Sequence, residues 1–251
     1  MNKEQFWRIV DDVRTSTDPK DQNAILSALG KRLRGLPSKE IMDFHEIFYF
    51  YQNVAYRDEL WAASAAMGAH YTDDGFIDFR SWLISQGRDV YLAALKDPES
   101  LAEVDTNGQS LDFEQYAYVA YKAYAQRRAY EAGPLTDVIQ EYIDWTAQYG
   151  QEVIDRLMRS ETPEKDISAG VVKEFFRRCL NLKYNLYDDL QQDTLASELL
   201  DSLKEDIPEE RDFDPHWTLE DLPQFFPRLC QKCEAQMDSW YAQQTMGLEM
   251  Q

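Results

Sequence analysis

Asp73-Asp74-Gly75-Phe76-Ile77-Asp78-Phe79-Arg80-Ser81-Trp82-Leu83-Ile84-Ser85-Gln86-Gly87-Arg88 holds a start signal, an apolar stripe and a stop signal within one short stretch. Asp-Asp-Gly is a turn signal, and acids placed in the first turn of a helix meet the positive end of its dipole. Phe76, Phe79 and Leu83 then recur at helical spacing, and Gly87 ends the run. The pattern predicts a turn over 71–75 and a helix over 76–85.

The same reading extends in both directions. Phe6, Ile9, Val10 and Val13 make one face of a first helix that stops before Asp18-Pro19. Ile25, Leu26, Leu29 and Leu33 make a second over 20–34, stopped by Gly35-Leu36-Pro37. Ser38 is placed to cap a long third helix carrying Phe44, Phe48, Tyr51 and Tyr56, which continues or restarts through the small-residue run 61–68. Small residues let another helix approach closely, so this run is expected at the centre of a bundle. Further helices are expected over 89–96, from Asp97-Pro98 onward, and over 111–128, where Tyr116, Val119, Ala120 and Ala123 form a face before Gly133-Pro134 breaks it. Helical faces continue over 138–158, 163–186 and 195–203, and a closing helix over 227–244. Strict apolar alternation is missing, so the fold class read from the sequence is all-α, an irregular multi-helix bundle.

Bulk properties narrow the function. The chain has 251 residues, 46 Asp+Glu against 26 Lys+Arg, and a formal net charge of -20. A field of that sign disfavours nucleic acid and anionic membrane as direct partners and favours a basic protein partner. Three cysteines do not make a disulfide framework. The charged amphipathic N-terminus lacks a signal-peptide core and no stretch is apolar enough to span a bilayer, so a cytoplasmic location is expected.

The segment 73–88, together with Phe6-Trp7, Leu60-Trp61-Ala62-Ala63 and Asp97-Pro98-Glu99-Ser100-Leu101, resembles a bacterial domain-of-unknown-function family, number 4240, over residues 1–130. Trp217, Leu222-Pro223 and Phe226-Pro227-Arg228-Leu229 resemble that family's closing motif. The resemblance implies a helical core over 1–130, a helical insertion over 131–213 packing on it, and a closing motif with C-terminal helix over 214–251 of the same domain. Where this chain has His70-Tyr71-Thr72 the family pattern has Gly-Cys-Ser, so no role of that thiol transfers. The family brings no established activity and therefore no catalytic residue.

Four constellations invite a chemical reading. Glu103, Asp105, Asn107, Gly108 and Glu114 mimic an EF-hand loop, but position 1 is not Asp and position 8 is Ser110, so the segment reads as a polar interhelical turn. Cys230-Gln231-Lys232-Cys233 lacks two further ligands at zinc spacing and reads as two small core residues on a helix. Asp73, Asp74, Asp78, Arg80, Trp82 and Arg88 are the candidate pocket: Asp78 with Arg80, Trp82 and Arg88 reads as an internal ion-pair network, and Asp73, Asp74 and Asp78 near His70 as a general acid/base or metal cluster. Between Asp201 and Asp221 nine acids stand against Lys204 and Arg211, a block that reads as a solvated loop.

The expected function is a non-enzymatic binding protein. Its specific form is an immunity-type inhibitor that neutralises a basic bacterial toxin, a nuclease being one example, through an acidic helical surface. The expected contacts are Glu205, Asp206, Glu209, Glu210, Asp212 and Asp214. No catalytic residue, metal or cofactor is expected. The alternative is an enzyme or small-ligand sensor built on Asp73, Asp74, Asp78, Arg80 and Arg88.

Overall fold

The computed structural model describes residues 1–106, 109–131 and 197–234, and among these it contains helices and no strand. In chain order the helices are α1 (Lys3–Ser16), α2 (Gln22–Arg34), α3 (Ser38–Val54), α4 (Asp58–Ala66), α5 (Asp73–Ser85) and α6 (Arg88–Lys96). A 3-10 turn (Pro98–Glu103), α7 (Glu114–Ala117), α8 (Val119–Glu131), α9 (Ser197–Lys204) and α10 (Leu222–Phe225) follow, then a helical segment over 227–234. The all-α reading therefore holds. The expected faces over 138–158 and 163–186, and the closing helix beyond 234, lie outside the described residues.

Side-chain caps set several boundaries. Asn2 and Gln5 form a reciprocal capping box at α1, Asp21 accepts from Ala24 N at α2, and Thr72 accepts from Gly75 N at α5. The Thr72 cap starts α5 at Asp73, three residues before the apolar stripe alone predicts. Helix α3 stops at Val54, and the chain restarts at Asp58 instead of continuing. Arg57 holds this break: its Nε donates to Val54 O at 3.2 Å and its Nη1 to Leu95 O at 3.1 Å. The single helix expected over 111–128 is also divided, at Tyr118, and begins only at Glu114. Residues 110–113 are drawn into tertiary bonds instead, with Gln22 Nε2 donating to Ser110 O and Asp112 O at 3.1 Å and Phe113 N donating to Asp78 O at 3.4 Å.

The core is an aromatic cluster between α1, α3, α5 and α6. Phe6 lies 4.7 Å from Phe44, Trp7 lies 4.7 Å from Tyr51 and 5.2 Å from Tyr91, and all five rings are buried. Tyr91 satisfies its hydroxyl by donating to Tyr51 O at 2.6 Å, as a buried phenol must. Leu60, Ala62, Ala63 and Ser64 of α4 are wholly enclosed, as their size predicts. Helix α8 lies against α2 and α3, where Val119 faces Gly30.

Two glycines are fixed by close approach. A Cβ on Gly75 would stand 2.4 Å from His70 O, so the α5 start rests directly on the preceding loop. Gly87 joins α5 to α6 with φ 92 and ψ 169, a region that only glycine occupies freely. Its own residue offers no side-chain cap; Asp11 of α1 supplies one, accepting from Arg88 N at 3.2 Å.

Candidate functional site

The structure gives Arg80, Trp82 and Arg88 of the candidate pocket partners outside it, while Asp74 stays within electrostatic reach of Asp78. Asp73 and Asp74 are exposed in the first turn of α5. Arg80, only 5% exposed, donates through Nη1 to Gln52 O at 2.7 Å and through Nε to Phe76 O at 3.3 Å, beneath the rings of Tyr56 and Phe76 at 4.8 and 5.0 Å. Burial lowers its pKa to about 10, yet the guanidinium stays charged at neutral pH, held by Gln52 O near the negative end of α3 and by Phe76 O of α5. Trp82 donates from Nε1 to Gln109 Oε1 at 3.2 Å. Arg88 points to Asp206 at 2.6 Å. The internal ion-pair network expected among Asp78, Arg80 and Arg88 is thus replaced by backbone acceptors and by a carboxylate far along the chain.

Asp78 remains in an acidic group with Asp74, Asp112 and Glu114. His70 joins it through Nδ1, 3.3 Å from Asp112 Oδ2. Burial pushes the Asp78 carboxyl up to about 6, with Glu114, Asp112 and Asp74 adding to the rise and His70 opposing it. Folded Asp78 therefore holds its proton more tightly than unfolded Asp78. The stability it contributes is complete below the unfolded value of 3.8 and is lost as pH rises through about 6. Asp78→Asn is expected to stabilise the protein at pH 7 by about 1 kcal/mol, a figure reduced for partial exposure, and to flatten the stability profile between pH 4 and 7. Urea unfolding at several pH values measures this; an unchanged slope in the variant would refute the assignment.

The EF-hand mimic does not assemble from its described members. Glu103 pairs with Arg228, while Glu114 accepts from the Tyr118 hydroxyl at 2.8 Å; Asn107 and Gly108 lie outside the described residues. Among the described residues no group of three or more His, Cys, Asp and Glu is arranged to hold a metal ion. Cys230 and Cys233 are half-buried free thiols that pack against the core, and burial raises both pKa values; Cys179 lies outside the described residues.

The acidic block forms an ordered strap over 205–221, laid across the helical body. Leu203 is fully buried below its start, and Phe213 packs 5.1 Å from Phe225 and 6.1 Å from Phe226. Four cations of the body and strap secure it. Lys3, 4% exposed, reaches Asp206 at 2.9 Å and Glu205 at 3.2 Å; Arg88 shares Asp206; Arg57 Nη2 donates to Pro208 O at 2.8 Å; Arg211 pairs with Glu59 and Asp97. Burial works against the Lys3 ammonium, but its bonds to Asp206 and Glu205 prevail and raise its pKa. The same bonds from Lys3 and Arg88 hold Asp206 below the ordinary carboxylate range.

Of the six expected contact residues, Asp206 is therefore spent on internal pairing, and Glu205 shares that role while keeping solvent contact. Glu209, Glu210, Asp212 and Asp214 face outward, joined by Glu220 and by the exposed apolar Leu219. Sequence reasoning missed the anchors Lys3 and Arg57. A signal for Lys3 existed: it stands three residues before Phe6 and seven before Val10, on the apolar face of α1.

The segment 227–234 closes the structure on the 3-10 turn. Glu99 Oε1 accepts from Arg228 N at 2.9 Å and Lys232 Nζ donates to Ala102 O at 2.7 Å. Among the described residues no helix is long and apolar enough to cross a membrane. No curated protein and no solved structure matches the chain. A family model does, over residues 1–126, which takes in α1 to α7 and most of α8 and leaves the acidic strap outside. The chain belongs to the family described as "Protein of unknown function (DUF4240)".

Proposed function

We propose that the protein is a non-enzymatic binding protein whose strap docks a basic protein partner, in the specific form of an immunity-type inhibitor that covers the active surface of a basic bacterial toxin. The supporting observation is that the strap is held in place from beneath. Its inward contacts are made by Lys3, Arg88 and Arg57, so Glu209, Glu210, Asp212 and Asp214 are displayed without having to order the segment on binding. Leu219 adds an apolar contact beside Glu220. Complementary charge of this kind accelerates encounter and selects partners by sign. The engagement of Arg80, Trp82 and Arg88 by partners outside the candidate pocket weighs against the enzyme or sensor alternative.

The test presents the purified chain to the product of the neighbouring reading frame. That product is expected to be basic and to bind with a Kd that weakens as salt rises. The combined variant Glu209→Gln, Glu210→Gln, Asp212→Asn and Asp214→Asn is expected to weaken binding at least about tenfold without changing the melting temperature. A complex indifferent both to salt and to these substitutions overturns the proposal. Substrate turnover that vanishes in Asp74→Asn without unfolding would establish the enzyme alternative instead.

A further inference from the structure

A cleft of about 140 Å³ lies on the seam between α2 and α8, and it shares no lining residue with the strap or the Asp78 group. It is smaller than drug-sized sites, roughly 300–1,000 Å³, which excludes a nucleotide or large cofactor, but it has room for several waters or a small organic ion. Leu26, Val119 and Ala123 make an apolar floor, and Arg34, Gln115 and Lys122 bring polar groups at its rim. No carboxylate lines it, although the chain carries 46 Asp+Glu. The cleft is thus positive within a molecule whose net field is negative.

Gly30 decides the placing of Arg34. Glycine inside a helix is less stable than alanine, and here a Cβ would stand 3.1 Å from Arg34 Nη1 and 3.7 Å from Val119 Cγ1. The missing side chain lets the guanidinium lie back along α2 into the cleft. Arg32 beside it is paired with Asp12 at 3.5 Å, whereas Arg34 makes no hydrogen bond or ion pair with any described residue. Lys122 Nζ donates to Gln115 Oε1 at 3.1 Å. That bond takes the carbonyl end of Gln115 and leaves its amide nitrogen to serve as a donor.

We propose that this cleft binds a short aliphatic carboxylate, its two oxygens received by the Arg34 guanidinium and its hydrocarbon tail laid on Leu26, Val119 and Ala123. The planar fork of a guanidinium matches a carboxylate through two parallel hydrogen bonds. Lys122 adds a positive charge beside it and Gln115 a further donor. A phosphate dianion would set its second charge against apolar wall, which is unfavourable. A cation would meet no carboxylate. The site is independent of the strap's partner, because no strap residue lines it.

Titration of the isotope-labelled full chain with butyrate, followed by NMR, tests it. A saturable response with a Kd on the order of millimolar is expected for an ion of this size, with the largest shifts at the Gly30 and Val119 amides. Arg34→Gln is expected to weaken binding at least about tenfold, and butyramide, which keeps the shape without the charge, to bind at least about tenfold more weakly than butyrate. Gly30→Ala separates a binding role from a structural one. Its methyl displaces the Arg34 guanidinium and is expected to weaken binding about threefold or more, while better helix propensity keeps the melting temperature from falling. The control is Lys96→Gln, which removes an exposed cation of α6 and is expected to change affinity less than about twofold. Absence of a saturable response overturns the proposal, as does unchanged affinity in both Arg34→Gln and Gly30→Ala. Equal weakening in Lys96→Gln also overturns it, because that would mean diffuse attraction. Phosphate binding as tightly as butyrate would overturn the aliphatic carboxylate assignment in favour of a general oxyanion site.

Discussion

Trp82→Ala is expected to cost about 3–5 kcal/mol, the range for removing a buried large aromatic side chain. Trp82 is 1% exposed and lies 5.3 Å from Phe79. The loss has two parts, the transfer free energy of the indole and the cavity left because the neighbouring helices cannot collapse fully. A third loss follows at the surface. Gln109 Oε1 gives up its indole donor, and Gln109 is also bonded through Nε2 to Asp105 O at 3.1 Å, so the loop ahead of α7 loosens with the core. For a chain of this length the expected fall in Tm is about 10 °C or more. Trp82→Phe should restore most of the packing but not the Gln109 bond, and so recover more than half of the loss. Denaturant unfolding of both variants checks this; a Trp82→Ala shift below about 1 kcal/mol would overturn the account of the core.

Gly87→Ala is the second large effect, about 3 kcal/mol, and its cause is different. At φ 92 and ψ 169 any side chain is strained by about 1–3 kcal/mol. The new Cβ would also stand 2.4 Å from Asp11 Oδ1, forcing that carboxylate off Arg88 N and removing the cap of α6, a loss of about 1 kcal/mol. Gly68 separates the two contributions: its φ is also positive, at 83, but nothing lies within 4 Å of its Cβ, so Gly68→Ala should show backbone strain alone. A double-mutant cycle of Gly87→Ala with Asp11→Ala completes the argument. Because the steric contact needs both groups, the double variant should lose less than the sum of the singles, by about 1 kcal/mol; strict additivity would sink the contact explanation.

The fold was legible where the signal is periodic and local. The stripes on α1, α2 and α5 gave their helices to within a few residues, and the small residues of α4 sit at the centre as their size requires. Breaks caused by distant partners were not legible. Nothing near Tyr56 announces that Arg57 will bond Val54 O and Leu95 O, and nothing near Ser110 announces that Gln22 will claim two carbonyls there. The candidate site divides in the same way. The outward acids of the strap follow from their density in the sequence. The fates of Arg80 and Asp206 depend on which carbonyl or ammonium the fold brings near, and residue type and spacing carry no record of that.

Lys3 and Asp206 lie at opposite ends of the described chain, and this sets an order of events during synthesis. The helical body emerges from the ribosome with an ammonium at the head of α1 whose carboxylates have not yet been made. Enclosing that charge alone would be unfavourable, so the first turn of α1 is expected to stay hydrated until the strap arrives. Maturation of the N-terminus therefore waits on some of the last residues described, and pulse-labelled protease protection at Lys3 should appear only after residue 206 has cleared the exit tunnel.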